Sequence, residues 1–78
     1  MRITKQRRAF INAVKDDFVK NEITPKILAK FYEQRFDTFK DEGRDIISLI
    51  EIAVDEFIKE KNWELEFGVE LGLMKINK

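Results

Sequence analysis

The strongest helical pattern of the chain lies at residues 45–61, which read DIISLIEIAVDEFIKEK. Apolar side chains recur there at spacings of three and four, which is typical of an α-helix. They cover almost twice the arc of roughly 100° that a helix needs to pack on one layer of neighbours. The polar strip that remains consists of Ser48, Glu51, Asp55 and Lys59. The pattern predicts a central helix that contacts two other helices and one further element.

A first helix is predicted over about residues 5–21. Phe10, Val14 and Phe18 are four residues apart, so they share one face at helical spacing. Asn21 follows the last apolar position and is expected to end this helix.

A second helix is predicted over about residues 25–41. Thr24 is a favourable N-cap, and Pro25 suits the first helical position because its missing N–H has no helical partner there. Gly43 is expected to supply the conformation that ends this helix. Asp45 is then the predicted N-cap of the third helix, over about 45–61.

The C-terminal segment carries two conflicting patterns. Every odd position from 63 to 73 is apolar and every even position is glutamate or glycine, which predicts an extended strand over about 63–71. A lone strand leaves backbone groups unpaired, so this one would pair in a hairpin or across a dimer. Glu70–Leu73 is also typical of a helix end capped by glycine, which makes a helix the alternative. The predicted fold is therefore a mostly α domain of three helices with a C-terminal β segment.

Length and composition predict a single helical domain, residues 1–78. The chain contains no Cys and no His, which excludes disulfides and metal sites made of thiolate or imidazole. We expect no cofactor. Small domains without such staples often associate with a second copy, which favours a homodimer. No apolar run is long enough to span a bilayer, and no apolar leader follows Met1, so we expect a cytoplasmic protein without a membrane partner.

No catalytic constellation is present. Ser48 is the single serine, and a triad needs a base that a chain without His does not supply in its usual form. Glu51 and Asp55 share a helix face, which is typical of a solvated surface. The sequence therefore predicts a protein that is not an enzyme.

A basic cluster near the N-terminus supports nucleic-acid binding as an alternative. Arg2, Lys5, Arg7 and Arg8 have no acid among them and would contact phosphates. The isoelectric point near 6.3 argues against it, because nucleic-acid-binding domains are generally basic.

Protein binding is the function that the sequence favours. We expect a small accessory or regulatory interaction module, of the kind that phages or mobile elements use on a host factor, with a partner of unknown identity. An assembly subunit of a homo-oligomer is a further alternative. The wide third helix and the C-terminal segment indicate the expected interface, made of Leu49, Ile52, Trp63, Leu65, Phe67 and Val69.

Two charges interrupt apolar faces. Arg35 lies between Phe31 and Phe39 on the second helix, and Asp17 lies among the apolar positions of the first. A buried unpaired charge is costly, so each requires a partner or access to water. Three hypotheses follow: an edge position with an extended arginine, an Arg35–Asp17 bridge, or a role in partner binding.

Overall fold

The computed structural model describes the backbone of residues 3–76 and the side chains of residues 3–73. The described residues contain the α-helices α1 (Lys5–Lys20), α2 (Pro25–Phe39), α3 (Arg44–Lys61) and α4 (Glu64–Ile76). A short 3-10 helix over Lys40–Glu42 follows α2. The mostly helical fold class is confirmed, and residues 3–76 contain no strand.

Side-chain caps start the first two helices. The hydroxyl of Thr4 accepts a hydrogen bond from the Arg7 backbone N–H at 3.2 Å, and the Thr24 hydroxyl accepts one from Ile27 at 3.3 Å. The predicted Thr24 cap, with Pro25 behind it, is confirmed. Each cap satisfies a backbone N–H that has no partner within the helix.

The predicted N-cap of α3 at Asp45 is wrong. Gly43 occupies that position with φ +94°, a value that residues with a Cβ rarely adopt. The chain therefore turns at Gly43, and α3 begins one residue before the predicted start. Asp45 lies in the first turn of α3 instead, where its negative charge interacts favourably with the positive N-terminal end of the helix dipole.

The central position predicted for α3 is confirmed. Helix α3 packs against α1 and α2, and it contacts α4 less extensively. Helix α4 packs mainly on α2. Among the described residues, no Cα atom of α1 lies within 8 Å of one in α2. The core holds two apolar clusters. The larger contains Leu28, Ile50, Val54 and Phe57, and the smaller is formed by Ile11, Leu49 and Ala53.

Residues 64–76 form a helix where the sequence alternation predicts a strand over 63–71. Asn62 adopts the left-handed conformation and ends α3, and the chain turns directly into α4. A strand here would have no neighbouring strand, whereas a helix satisfies its backbone groups internally. Gly72 does not cap the helix, which continues through it to Ile76.

Candidate functional site

The structure divides the six predicted interface residues between the core and the surface. Leu49 and Phe67 are buried, and Ile52 and Trp63 are half-buried. Phe67 packs edge-on against Tyr32, with ring centroids 5.6 Å apart. Leu49 and Phe67 belong to the core, Ile52 and Trp63 pack against it while partly exposed, and Leu65 and Val69 lie on the surface.

One face of α4 is apolar and exposed. Leu65, Val69 and Leu73 are 79%, 52% and 49% exposed, and they are four residues apart. Gly68 and Gly72 lie between them on the same side of the helix, since their spacings from Leu65 are three and seven. A Cβ placed on either glycine would meet no atom within 4 Å. We call these five residues the α4 outer face.

The α4 outer face continues into a shallow groove beside the start of α2. The groove has a volume of about 400 Å³, and its α2 side is formed by Thr24, Pro25 and Lys26. Its α4 side includes Glu66 and Glu70 beside the apolar residues. The surface therefore has an apolar centre and a rim that carries both signs of charge.

Helical spacing in the sequence would have identified this face. The residues at 65, 68, 69, 72 and 73 follow the i, i+3, i+4, i+7, i+8 pattern of one helix face. The strand interpretation does not identify this face, because in a strand Gly68 and Gly72 would lie on the other face from Leu65, Val69 and Leu73. Gly68, Gly72 and Leu73 were therefore not among the predicted interface residues.

Two of the four predicted nucleic-acid contacts, Arg7 and Arg8, face acidic side chains of α3. Arg8 donates a hydrogen bond to Glu56, with Nη1 and Oε1 2.7 Å apart. Arg7 Nη2 lies 3.8 Å from the Asp45 carboxylate. Lys5 is exposed, and Arg2 lies outside the described residues. The two arginines thus contribute to attachment of α1 to α3.

Glu56 is the centre of a charged network between α1 and α3. Its carboxylate accepts hydrogen bonds from Arg8 and, at 3.2 Å, from Lys15, and Lys15 also contacts Glu60. The bond from Arg8, supported by the one from Lys15, holds the pKa of Glu56 below its ordinary value of 4.5 although burial opposes the shift. The bond to Glu60 is the main cause that raises the pKa of Lys15.

We expect the Glu56→Gln variant to lose less free energy of unfolding than the native protein when the pH is lowered. Because the pKa of Glu56 is lowered on folding, its stabilisation is complete above the ordinary pKa and is lost as the pH falls through the folded value. The native protein should therefore lose stability from roughly pH 5 to pH 3, and the variant should lose less. The cost at neutral pH should be about 1 kcal/mol or less, since the pair is partly exposed.

Urea unfolding midpoints measured across this pH range test the expectation. Asp16→Asn removes an exposed carboxylate from α1, outside this network, and serves as the control. An acid profile of Glu56→Gln that coincides with the native one would contradict the role of this network.

A cleft of about 380 Å³ separates α1 from α2. Ile50 of α3 forms its floor, and Asp17 and Asn21 are the polar residues of its lining. The apolar lining consists of Phe10, Val14, Phe18, Ile23, Phe31, Phe39 and Ile50. Apolar walls with a few polar groups are the usual composition of small-molecule pockets of this volume.

Of the three hypotheses for Arg35 and Asp17, the bridge between them is not formed, because Arg35 pairs with Glu51. Arg35 Nη2 lies 2.9 Å from Glu51 Oε2, its other terminal nitrogen donates to the Tyr32 carbonyl, and its guanidinium lies 3.8 Å from the Tyr32 ring centroid. Helix α2 presents Arg35 to α3, whereas Asp17 faces the cleft. Within the described side chains, the Asp17 carboxylate forms no ion pair, and only its backbone carbonyl accepts from Asn21.

Residues 3–73 contain no group of three or more acidic side chains placed to share a metal ion. Among the helices of the described region, none has the length and hydropathy needed to cross a membrane. Comparison of the chain with protein-family models, curated proteins and solved structures finds no match.

Proposed function

We propose that this chain is a non-catalytic protein-interaction module that assembles with a second copy of itself through the α4 outer face. The observation that carries the proposal is one helix face that exposes Leu65, Val69 and Leu73 and also contains two glycines. Exposed apolar side chains are common singly, but a continuous row on one helix is typical of a binding surface.

The two glycines support a close helix–helix contact. Each glycine inside a helix costs about 1 kcal/mol relative to alanine. No neighbour among the described residues requires that cost, because a Cβ at Gly68 or Gly72 would meet no atom of them within 4 Å. A second helix that packs closely would use the space that the absent side chains leave.

The α4 outer face also suits a copy of itself. A two-fold dimer needs a surface that is complementary to the same surface on its partner. Here the apolar side chains provide protrusions and the glycines provide recesses on one face, so each copy can place protrusions in the other's recesses. Lys26 and Glu66 at the rim supply both signs of charge, which avoids an excess of either at the contact.

The first test is Val69→Lys, compared with Val19→Lys. Both valines are exposed on helices, at 52% and 58%, but Val19 is on α1, away from α4. Lysine at 69 would bring like charges together across the two-fold contact, which should weaken the dimer roughly a hundredfold or more. Sedimentation equilibrium over a range of protein concentrations measures the constant. A native chain that stays monomeric at the highest concentration would refute the proposal.

Gly68→Ala separates assembly from stability. In the isolated chain, alanine should raise the free energy of unfolding by about 0.5–1 kcal/mol, because the helix gains propensity and the Cβ meets nothing. In the dimer, the same methyl group should hinder the close approach and weaken association. The expected result is a more stable monomer with a weaker dimer. A variant that is more stable and dimerises as well as the native chain would show that the glycine recess is not in the interface.

A further inference from the structure

The cleft between α1 and α2 is not part of the α4 outer face. It lies between two helices whose Cα atoms, among the described residues, do not approach within 8 Å of each other, and its lining includes Asn21 and Ile23 from the turn that joins them. Phe10, Phe31 and Phe39 are each only half-buried in its walls. The cleft therefore presents aromatic surface to solvent, where an apolar group can be removed from water.

The cleft also carries an exposed charge, Asp17, that has no ion-pair partner among the described side chains. Asp17 is three residues after Val14 and seven after Phe10, so it shares their side of α1, and it lines the cleft. Arg35, the cation considered as a partner of Asp17 from the sequence, contacts Glu51 and Tyr32 instead. On the same helix, Lys15 is directed to Glu56 and Glu60. A ligand in the cleft would therefore meet an apolar wall and a carboxylate without a cation.

We propose that this cleft binds a small amphiphile with an aromatic or branched apolar body and a protonated amine. The body lies between the phenylalanine side chains, over Ile50, and the amine lies beside the Asp17 carboxylate. The Asn21 side-chain amide already donates to the Asp17 backbone carbonyl, which fixes the end of α1 at this point. The carboxylate itself stays available to a ligand.

Three probes of similar size test the proposal: phenethylamine, phenethyl alcohol and phenylacetate. Titrations followed by two-dimensional amide NMR measure affinity and position together. We expect the amine to bind up to about fivefold more tightly than the alcohol, which is the range of an exposed ion pair. We expect phenylacetate to bind most weakly, by roughly tenfold relative to the amine, because attraction becomes repulsion. The largest amide shifts should occur at Phe10, Asp17 and Phe31.

Two variants define the role of Asp17. Asp17→Asn should reduce the affinity for the amine to that for the alcohol and leave the affinity for the alcohol unchanged, whereas Asp16→Asn should change neither.

Val14→Phe tests the cleft itself. It should fill the cleft and abolish binding of all three probes, and helical circular dichroism checks that this variant is folded. The proposal is overturned if no probe binds, if amide shifts cluster outside the cleft, or if Asp17→Asn binds the amine as the native chain does.

Discussion

Replacing Leu28 with alanine should lower the free energy of unfolding by about 3–4 kcal/mol. Leu28 has no exposed surface and belongs to the cluster in which α2, α3 and α4 meet. A leucine-to-alanine change at such a site loses the transfer free energy of the side chain and leaves a cavity. For 78 residues, total stability is expected at about 4–12 kcal/mol, so this loss is a large part of it.

The adjacent residue provides the control for this prediction. Ile27 is on the same helix but is 53% exposed, so Ile27→Ala should change stability by about 0.5 kcal/mol or less. Urea unfolding followed by circular dichroism measures both variants. Equal losses at the two positions would mean that helix propensity, rather than the core contact, sets the effect.

The second large effect is expected at the contact of Arg35 with Glu51. Glu51→Gln should destabilise the fold by about 1–2 kcal/mol, because it leaves a partly buried guanidinium with only the Tyr32 carbonyl and ring. The Arg35 side chain is 20% exposed, and its Nε atom is buried without a hydrogen-bond acceptor. Since the Glu51 side chain is 40% exposed, the loss should stay below that of a fully buried pair.

Arg35→Met should behave differently from Glu51→Gln. Methionine keeps an apolar stem against Tyr32 and removes both the charge and the unsatisfied nitrogen, so stability should be unchanged or slightly higher. In the double variant, Glu51→Gln should then cost little. Unfolding free energies of the two single variants and the double variant complete this cycle. A large loss in Arg35→Met would indicate that the ion pair itself stabilises the fold.

The first three helices were predictable because local signals agree there. At Thr24 and Pro25, capping chemistry and the apolar pattern indicate the same helix start. In α3, the wide apolar surface indicated a central helix. The start of α3 was predicted less well, because Asp45 is suitable both as a cap and as a first-turn acid, and only the backbone at Gly43 distinguishes the two.

The C-terminal helix was not predictable from its pattern alone. Residues four apart share one face in a strand, where side chains alternate, and also in a helix. Phe67 and Leu71 therefore fit a strand face and a helix face equally well. The choice depends on whether a neighbouring strand exists, which is a property of the whole fold. The same ambiguity limited the site: Leu65 and Val69 were predicted, but the recess at Gly68 follows only from a helix.

Charge pairing depends on how the helices are rotated against each other. Arg35 and Asp17 were recognised as exceptional charges, but Glu51 was interpreted as part of a solvated face. Whether Glu51 reaches Arg35 depends on how far α2 is rotated about its own axis against α3. The spacing of apolar residues defines that rotation only to within about one residue on the helix wheel. Arg7 and Arg8 were likewise interpreted without the acids of α3 that lie opposite them.

Helix α1 is attached to the domain differently from the other helices, because among the described helices its backbone contacts only α3. Helix α1 is attached through the small Ile11 cluster, through Phe18 in the larger core and through charges directed at α3, whereas the backbone of α2 contacts both α3 and α4. Local opening follows the elements with the fewest buried contacts. We therefore expect helix α1 to open as a unit while the other three helices stay folded. Backbone amides of α1 would then exchange with solvent well before those of α3.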